Sequence, residues 1–211
     1  MSDSLWPRLQ KRWSTLCPDL PRGGLNPPAT ARQIDAVEAL TGVRLPDDLR
    51  DAYLHFNGMQ RQAIWNNSVR APQLILNRFH WLDLETMATH WTSDRDMEAA
   101  SDFDPELLGP EEVHGDGVRH LQYHAAWLPI GHSGTSVRCL ADMGPSRWGL
   151  PGQIVSYDPE DMPGVMAPSF ADVVRVVLDA FDRGAVEWNG WEIVSPATGH
   201  PLYGIEAWQL A

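Results

Sequence analysis

Between residues 29 and 58 the chain carries two helical stripes, each closed by its own start and stop signals, and this pair constrains the architecture more tightly than any other stretch. Thr30, followed by Gln33 three positions later, has the pattern of a capping box, in which each residue satisfies an orphan backbone donor ahead of the apolar stripe Ile34, Val37 and Leu40. Gly42 offers a left-handed stop at low steric cost. In the second unit Pro46 suits a first turn, and Asp47 and Asp48 complement the positive end of the helix dipole. Leu49, Ala52, Tyr53 and Phe56 then recur at helical spacing until Asn57-Gly58. Nothing in this helical hairpin is equipped for catalysis.

The spacing of Leu5, Trp6, Leu9, Trp13 and Leu16 predicts a helix over 4–16 that Pro18 ends, with 21–28 as a linker. After Gly58 the apolar segments shorten. Strands are expected at Ala63–Trp65, Leu74–Leu76, Trp127–Ile130, Val137–Leu140 and Gln153–Tyr157, and Asp83 is expected to cap a helix burying Leu84, Met87, Ala88 and Trp91. Gly- and Pro-bearing turns between them favour antiparallel neighbours. Ser169 caps a segment with Phe170, Val173, Val174, Val176, Val177, Leu178 and Phe181. Its valines suit a strand, but the cap, the length and the stop at Gly184 decide for a helix. Trp191–Val194 is a further edge-strand candidate. These features together predict a single α+β domain, with helices packed around a mostly antiparallel sheet.

At 211 residues and 43% hydrophobic content the chain can bury one sizeable core, and no stretch reaches the ~20 apolar residues needed to cross a bilayer. The opening MetSerAspSerLeuTrpProArg lacks the basic-then-apolar pattern of a secretory signal, so a cytoplasmic location is expected. Cys17 and Cys139 are read as two reduced thiols. The formal charge is −12, and residues 94–116 account for −8 of it: Asp94, Asp96, Glu98, Asp102, Asp104, Glu106, Glu111, Glu112 and Asp116 stand against Arg95. Such a field repels phosphate backbones and anionic membranes and steers basic protein partners inward. A solvated loop that aids solubility is the other reading of the same run.

The order Thr-x-x-Gln-Ile-x-x-Val-Glu, a Gly two residues past a Leu, then Leu-Pro-Asp-Asp-Leu-Arg and a closing Asn-Gly resembles the N-terminal signature of the SUKH superfamily. That superfamily takes in fungal cell-wall assembly regulators and many bacterial immunity proteins. Trp127-Leu128-Pro129-Ile130-Gly131, Cys139-Leu140-Ala141-Asp142, Gly152-Gln153-Ile154-Val155 and Ser169-Phe170 follow its order of strands and closing helix. The resemblance covers roughly residues 5–185. It divides the chain into an N-terminal helix and linker (1–28), a SUKH-like domain (29–185) and an extension (186–211) that it does not match. The sequence after Gly131 departs from the pattern, reading HisSerGlyThrSer where acidic and glycine residues are more usual.

Catalytic signals are weak. Gly131-His132-Ser133-Gly134-Thr135 invites comparison with a G-x-S-x-G nucleophile elbow, but it fails at the fifth position and is followed by a strand candidate rather than a helix. His120 and His124, with His114 and His132 nearby, could place imidazoles on a metal, yet no acidic residue completes a zinc motif. No GxGxxG or Walker pattern precedes a helix, so no cofactor is expected. Among ten tryptophans, Trp65 and Trp148 lie in loop-like surroundings and are candidate interface anchors.

The expected function is therefore a non-enzymatic protein-binding domain. The resemblance implies an immunity role, in which a cognate toxin or another basic protein is bound and occluded, and neither nucleic acid nor membrane is an expected partner. An intracellular regulatory scaffold of the fungal type and a serine hydrolase using Ser133 are the alternatives.

Overall fold

The computed structural model describes residues 5–60, 71–75, 78–100, 117–119, 121, 123–158 and 163–202. In chain order these form α1 (Leu5–Leu16), a 3-10 turn (Pro21–Gly24), α2 (Ala31–Thr41), α3 (Asp47–His55), β1 (His80–Trp81) and α4 (Leu84–Ala100). There follow β2 (Trp127–His132), β3 (Arg138–Asp142), β4 (Gln153–Tyr157), β5 (Gly164–Ala167), α5 (Phe170–Asp182), β6 (Glu187–Trp188) and β7 (Ile193–Val194). Strands β1 to β5 make one sheet in sequence order, every neighbour antiparallel, so the expected α+β class with an antiparallel centre is observed. Among the described residues no helix is long and apolar enough to cross a membrane.

Local capping explains where the helices begin. Gln33 N donates to Thr30 Oγ1 and Thr30 N donates to Gln33 Oε1, so the capping box is complete, and Gly42 closes α2 at φ 68°. Asp83 accepts from Thr86 N at 2.8 Å and Ser169 accepts from Asp172 N at 3.2 Å, starting α4 and α5 as their sequences predict. The hairpin then docks through backbone. Tyr53 Oη donates to Leu82 O, Leu84 N donates to Asn57 Oδ1, and Met59 N donates to Trp81 O. At Gly58, with φ 72°, a Cβ would lie 2.5 Å from the Leu82 carbonyl, so this approach requires glycine.

Side-chain alternation sorts the sheet into two faces. Leu128, Ile130, Cys139, Ala141, Ile154 and Ala167 join the main core with α1, α2, α3 and α5. Trp6 stacks on Phe170 and Trp13 meets Phe181 edge-on at 6.1 Å, which seats α1 on α5 within that same core. The other face carries a smaller cluster of Val118, Trp127, Leu140, Val155 and Tyr157.

Several expectations change on folding. Leu40, read as part of the buried stripe of α2, is 52% exposed, because α2 packs through Ile34, Val37 and Thr41 instead. Leu74 and Ile75 are buried but not in a named strand, Ile75 and Phe79 exchanging backbone hydrogen bonds, and Leu76 lies outside the described residues. The strand expected at Val137–Leu140 begins and ends later, at Arg138–Asp142. Strands β1 and β5 were not expected, and Ile193–Val194 pairs with β6 in a separate two-stranded sheet rather than extending the main one. The expected strand at Ala63–Trp65 lies outside the described residues.

Candidate functional site

The β3–β4 connection is where the fold holds an exposed aromatic side chain most deliberately. Asp142, at the end of β3, is fully buried; its Oδ1 accepts from Gly144 N at 3.0 Å and its Oδ2 from Gln153 Nε2 at 3.1 Å. Gln153, the first residue of β4, is also buried. Its Oε1 accepts from Leu150 N at 3.0 Å, and its Nε2 donates to Gly117 O at 2.9 Å. Within the loop Ser146 N donates to Gly117 O, Gly149 N to Ser146 O and Gly152 N to Asp142 O. A Cβ on Gly149 would come within 2.1 Å of Gly117 O, so glycine is needed for the two segments to touch. Burial pushes the Asp142 carboxyl above the ordinary carboxylate range, opposed by its hydrogen bonds from Gln153 and Gly144.

This frame leaves Trp148 60% exposed and Leu150 58% exposed, with the Arg147 guanidinium 4.5 Å over the Trp148 ring. A rigid aromatic beside a cation is the composition of an interface anchor. Gly117, which the frame grips twice, is the first residue after the acidic run. The fold thus brings Gly117 against the loop bearing Trp148, a proximity that sequence separation conceals.

At the other end of the run the acids differ from one another. Asp94 lies on α4 as a half-buried side chain whose charge is paired with that of Arg138 on β3. Glu98 pairs with Arg95 one turn away, while Asp96 is exposed. The cavity beside the Asp94–Arg138 pair, about 10 Å³, is too small for a ligand. Asp102, Asp104, Glu106, Glu111, Glu112, Asp116 and Trp65 lie outside the described residues.

The remaining sequence candidates that fall among the described residues make local hydrogen bonds. Ser133 Oγ donates to Val137 O at 2.9 Å and lies 2.7 Å from Thr135 Oγ1, inside the β2–β3 hairpin turn, with a strand on both sides and no helix. His132 Nδ1 accepts from Gly134 N, and the His132 ring stacks on His90 at 5.4 Å. His124 Nδ1 accepts from Ala126 N, whereas His114 and His120 lie outside the described residues. Among the described residues no group of three His, Cys, Asp or Glu is placed to hold a metal ion. Both cysteines are buried, and burial raises the Cys17 thiol to about 11, away from reactivity at neutral pH.

Comparison with known proteins covers the same elements. A KNR4/SMI1 homolog of Yarrowia lipolytica (strain CLIB 122 / E 150) is 25% identical over 232 residues, an alignment covering 89% of this chain and 31% of the relative. The chain therefore spans about a third of that relative's length. The sequence model of the SMI1 / KNR4 family (SUKH-1) matches residues 28–175, from the linker before α2 into α5 and including the Trp148 loop. With the hairpin, the antiparallel sheet and the start of the closing helix inside that match, the chain belongs to the SMI1 / KNR4 family (SUKH-1).

Proposed function

We propose that this chain is a non-enzymatic protein-binding domain of the immunity type, which binds a basic partner protein, a cognate toxin, and blocks it sterically. The observation that carries this reading is the exposed Trp148 held in a loop braced by hydrogen bonds with Asp142, Gln153 and Gly117: its conformation is set before binding, so little ordering entropy opposes association. Trp148 and Leu150 supply apolar burial, and the acidic run 94–116, which immediately precedes Gly117 in the chain, steers a basic surface toward them. Nucleic acid and anionic membranes are repelled by the same field. A cytoplasmic location belongs to this reading.

The similarity to the Yarrowia lipolytica KNR4/SMI1 homolog favours a second reading, a regulatory scaffold in which the same surface docks a host protein. Co-expression separates them. The product of the adjacent upstream reading frame is expressed with and without this chain, and host survival and complex formation are measured. Rescue through a one-to-one complex that Trp148→Ala abolishes supports immunity. A harmless neighbour that forms no complex removes it and leaves the scaffold reading.

A further inference from the structure

A groove of about 820 Å³ runs between α2 and the first turns of α4, and no residue of the Trp148 loop lines it. Its origin is visible in side-chain size. Ala36 on α2 and Ala88 on α4 are too short to fill the space between the helices, and Leu40 is left 52% exposed at a position that its helical spacing would otherwise bury. From Gln33 to Leu40 the lining stripe extends for about 10 Å, the length of two turns of a partner helix. Pro27, which has no N–H to offer a ligand, contributes further apolar lining.

Among the described residues the charge of the groove has one sign. Its titratable lining residues there are Asp83 and Glu85, with no Lys, Arg or His among them. Asp83 is occupied as the cap of α4, accepting from Thr86 N and Oγ1, while Glu85 is exposed at the rim. An acidic ligand would leave these carboxylates facing like charge; a basic one would pair with Glu85 directly. Apolar side chains at helical spacing flanked by cations satisfy both the stripe and the rim.

We infer that this groove is a docking site for an amphipathic basic helix of a protein partner, whose apolar residues cover Ala36, Leu40 and Ala88 while a Lys or Arg meets Glu85. The site is separate from the Trp148 surface and does not depend on it. The probe is a fluorescein-labelled 14-residue peptide with leucines at i, i+3, i+4 and i+7 flanked by lysines, alongside the same peptide with glutamates. Fluorescence polarisation is read on the intact chain and on Ala36→Arg, Glu85→Lys and Trp148→Ala. The expected result is saturable binding of the lysine peptide alone, weakened at least tenfold by Ala36→Arg and by Glu85→Lys and unchanged by Trp148→Ala. Glu85→Lys alters an exposed side chain, so it decides the matter if Ala36→Arg does not fold. No binding, equal binding of both peptides, binding indifferent to the groove variants, or binding lost with Trp148 would each overturn the assignment.

Discussion

Replacing Gln153 by leucine, close to it in volume, deletes three hydrogen bonds, two of them buried, while leaving almost no cavity. These are the bonds to Gly117 O, to Asp142 Oδ2 and from Leu150 N. At roughly 1 kcal/mol net for each bond, the loss is about 3 kcal/mol. Two of the abandoned groups keep another partner, Gly117 O accepting from Ser146 N and Asp142 from Gly144 N, which holds the cost below the sum of three orphaned groups. Against a domain stability of about 10 kcal/mol the variant still folds, and at an m-value of ~2–3 kcal/mol/M its urea midpoint falls by roughly 1 M. The local signature is faster hydrogen exchange at the Leu150 amide, the group that loses its acceptor. Gln153→Glu sharpens the test: it keeps that acceptor but places a second carboxyl beside buried Asp142. It should therefore be less stable at pH 7.5 than at pH 5, where a shared proton restores a donor. A midpoint shift of Gln153→Leu under ~0.2 M with unchanged Leu150 exchange would refute the argument and with it the preorganised Trp148 loop.

Gly58→Ala and Gly42→Ala share the left-handed backbone penalty of roughly 1–2 kcal/mol, but only Gly58 faces backbone atoms within 2.5 Å, so it should lose at least ~2 kcal/mol more; equal midpoints would mean that the hairpin can shift. Thr30→Ala removes the hydroxyl half of the α2 capping box, leaving the backbone donation to Gln33 Oε1, and should cost ~1 kcal/mol by urea unfolding, against no effect if water replaces the hydroxyl. Burial first, and Arg138 next, hold the imidazoles of His90 and His132 below the usual 6.5. The unfolded chain then takes up protons near pH 6.5 that the folded chain refuses, so their contribution is intact above 6.5, declines as pH falls toward the folded values, and levels off beneath them. A His90→Gln/His132→Gln variant should flatten the stability profile between pH 6.5 and 5, and an unaltered slope would count against this linkage. Trp148→Ala, at an exposed side chain, should change stability by no more than ~0.5 kcal/mol, which makes it a clean probe of binding.

Helix starts and stops were legible because their causes lie within a few residues of one another. Thr30 with Gln33, Asp83 with Thr86 and Ser169 with Asp172 are each three apart, and each pair formed the expected bond. The valine-rich segment 173–177 likewise became helix, as its cap and glycine stop required. Trp148 could be placed in a loop from its Gly and Pro neighbours alone. Short strands could not be read: the two residues of β1 and the four of β5 acquire strand geometry by pairing with β2 and β4, and no pattern that short has a period. Leu40 carried the right spacing for burial, yet its exposure depended on how α2 and α4 approach.

The site divides in the same way. Asp94 and Trp148 were both visible as candidates in the chain, but only tertiary packing paired the first with Arg138 and braced the second. Gln153 gave no signal beyond a polar residue opening a strand. Its partners lie 36, 11 and 3 positions away, and only the fold of β3, β4 and Gly117 gathers them. Caps, turns and stripes are governed by dihedral preference and near-neighbour hydrogen bonding, which any window of a few residues contains. Which charge is paired, which aromatic is held outward and which groove stays open depend on contacts between segments tens of residues apart, and those exist only once the backbone has closed.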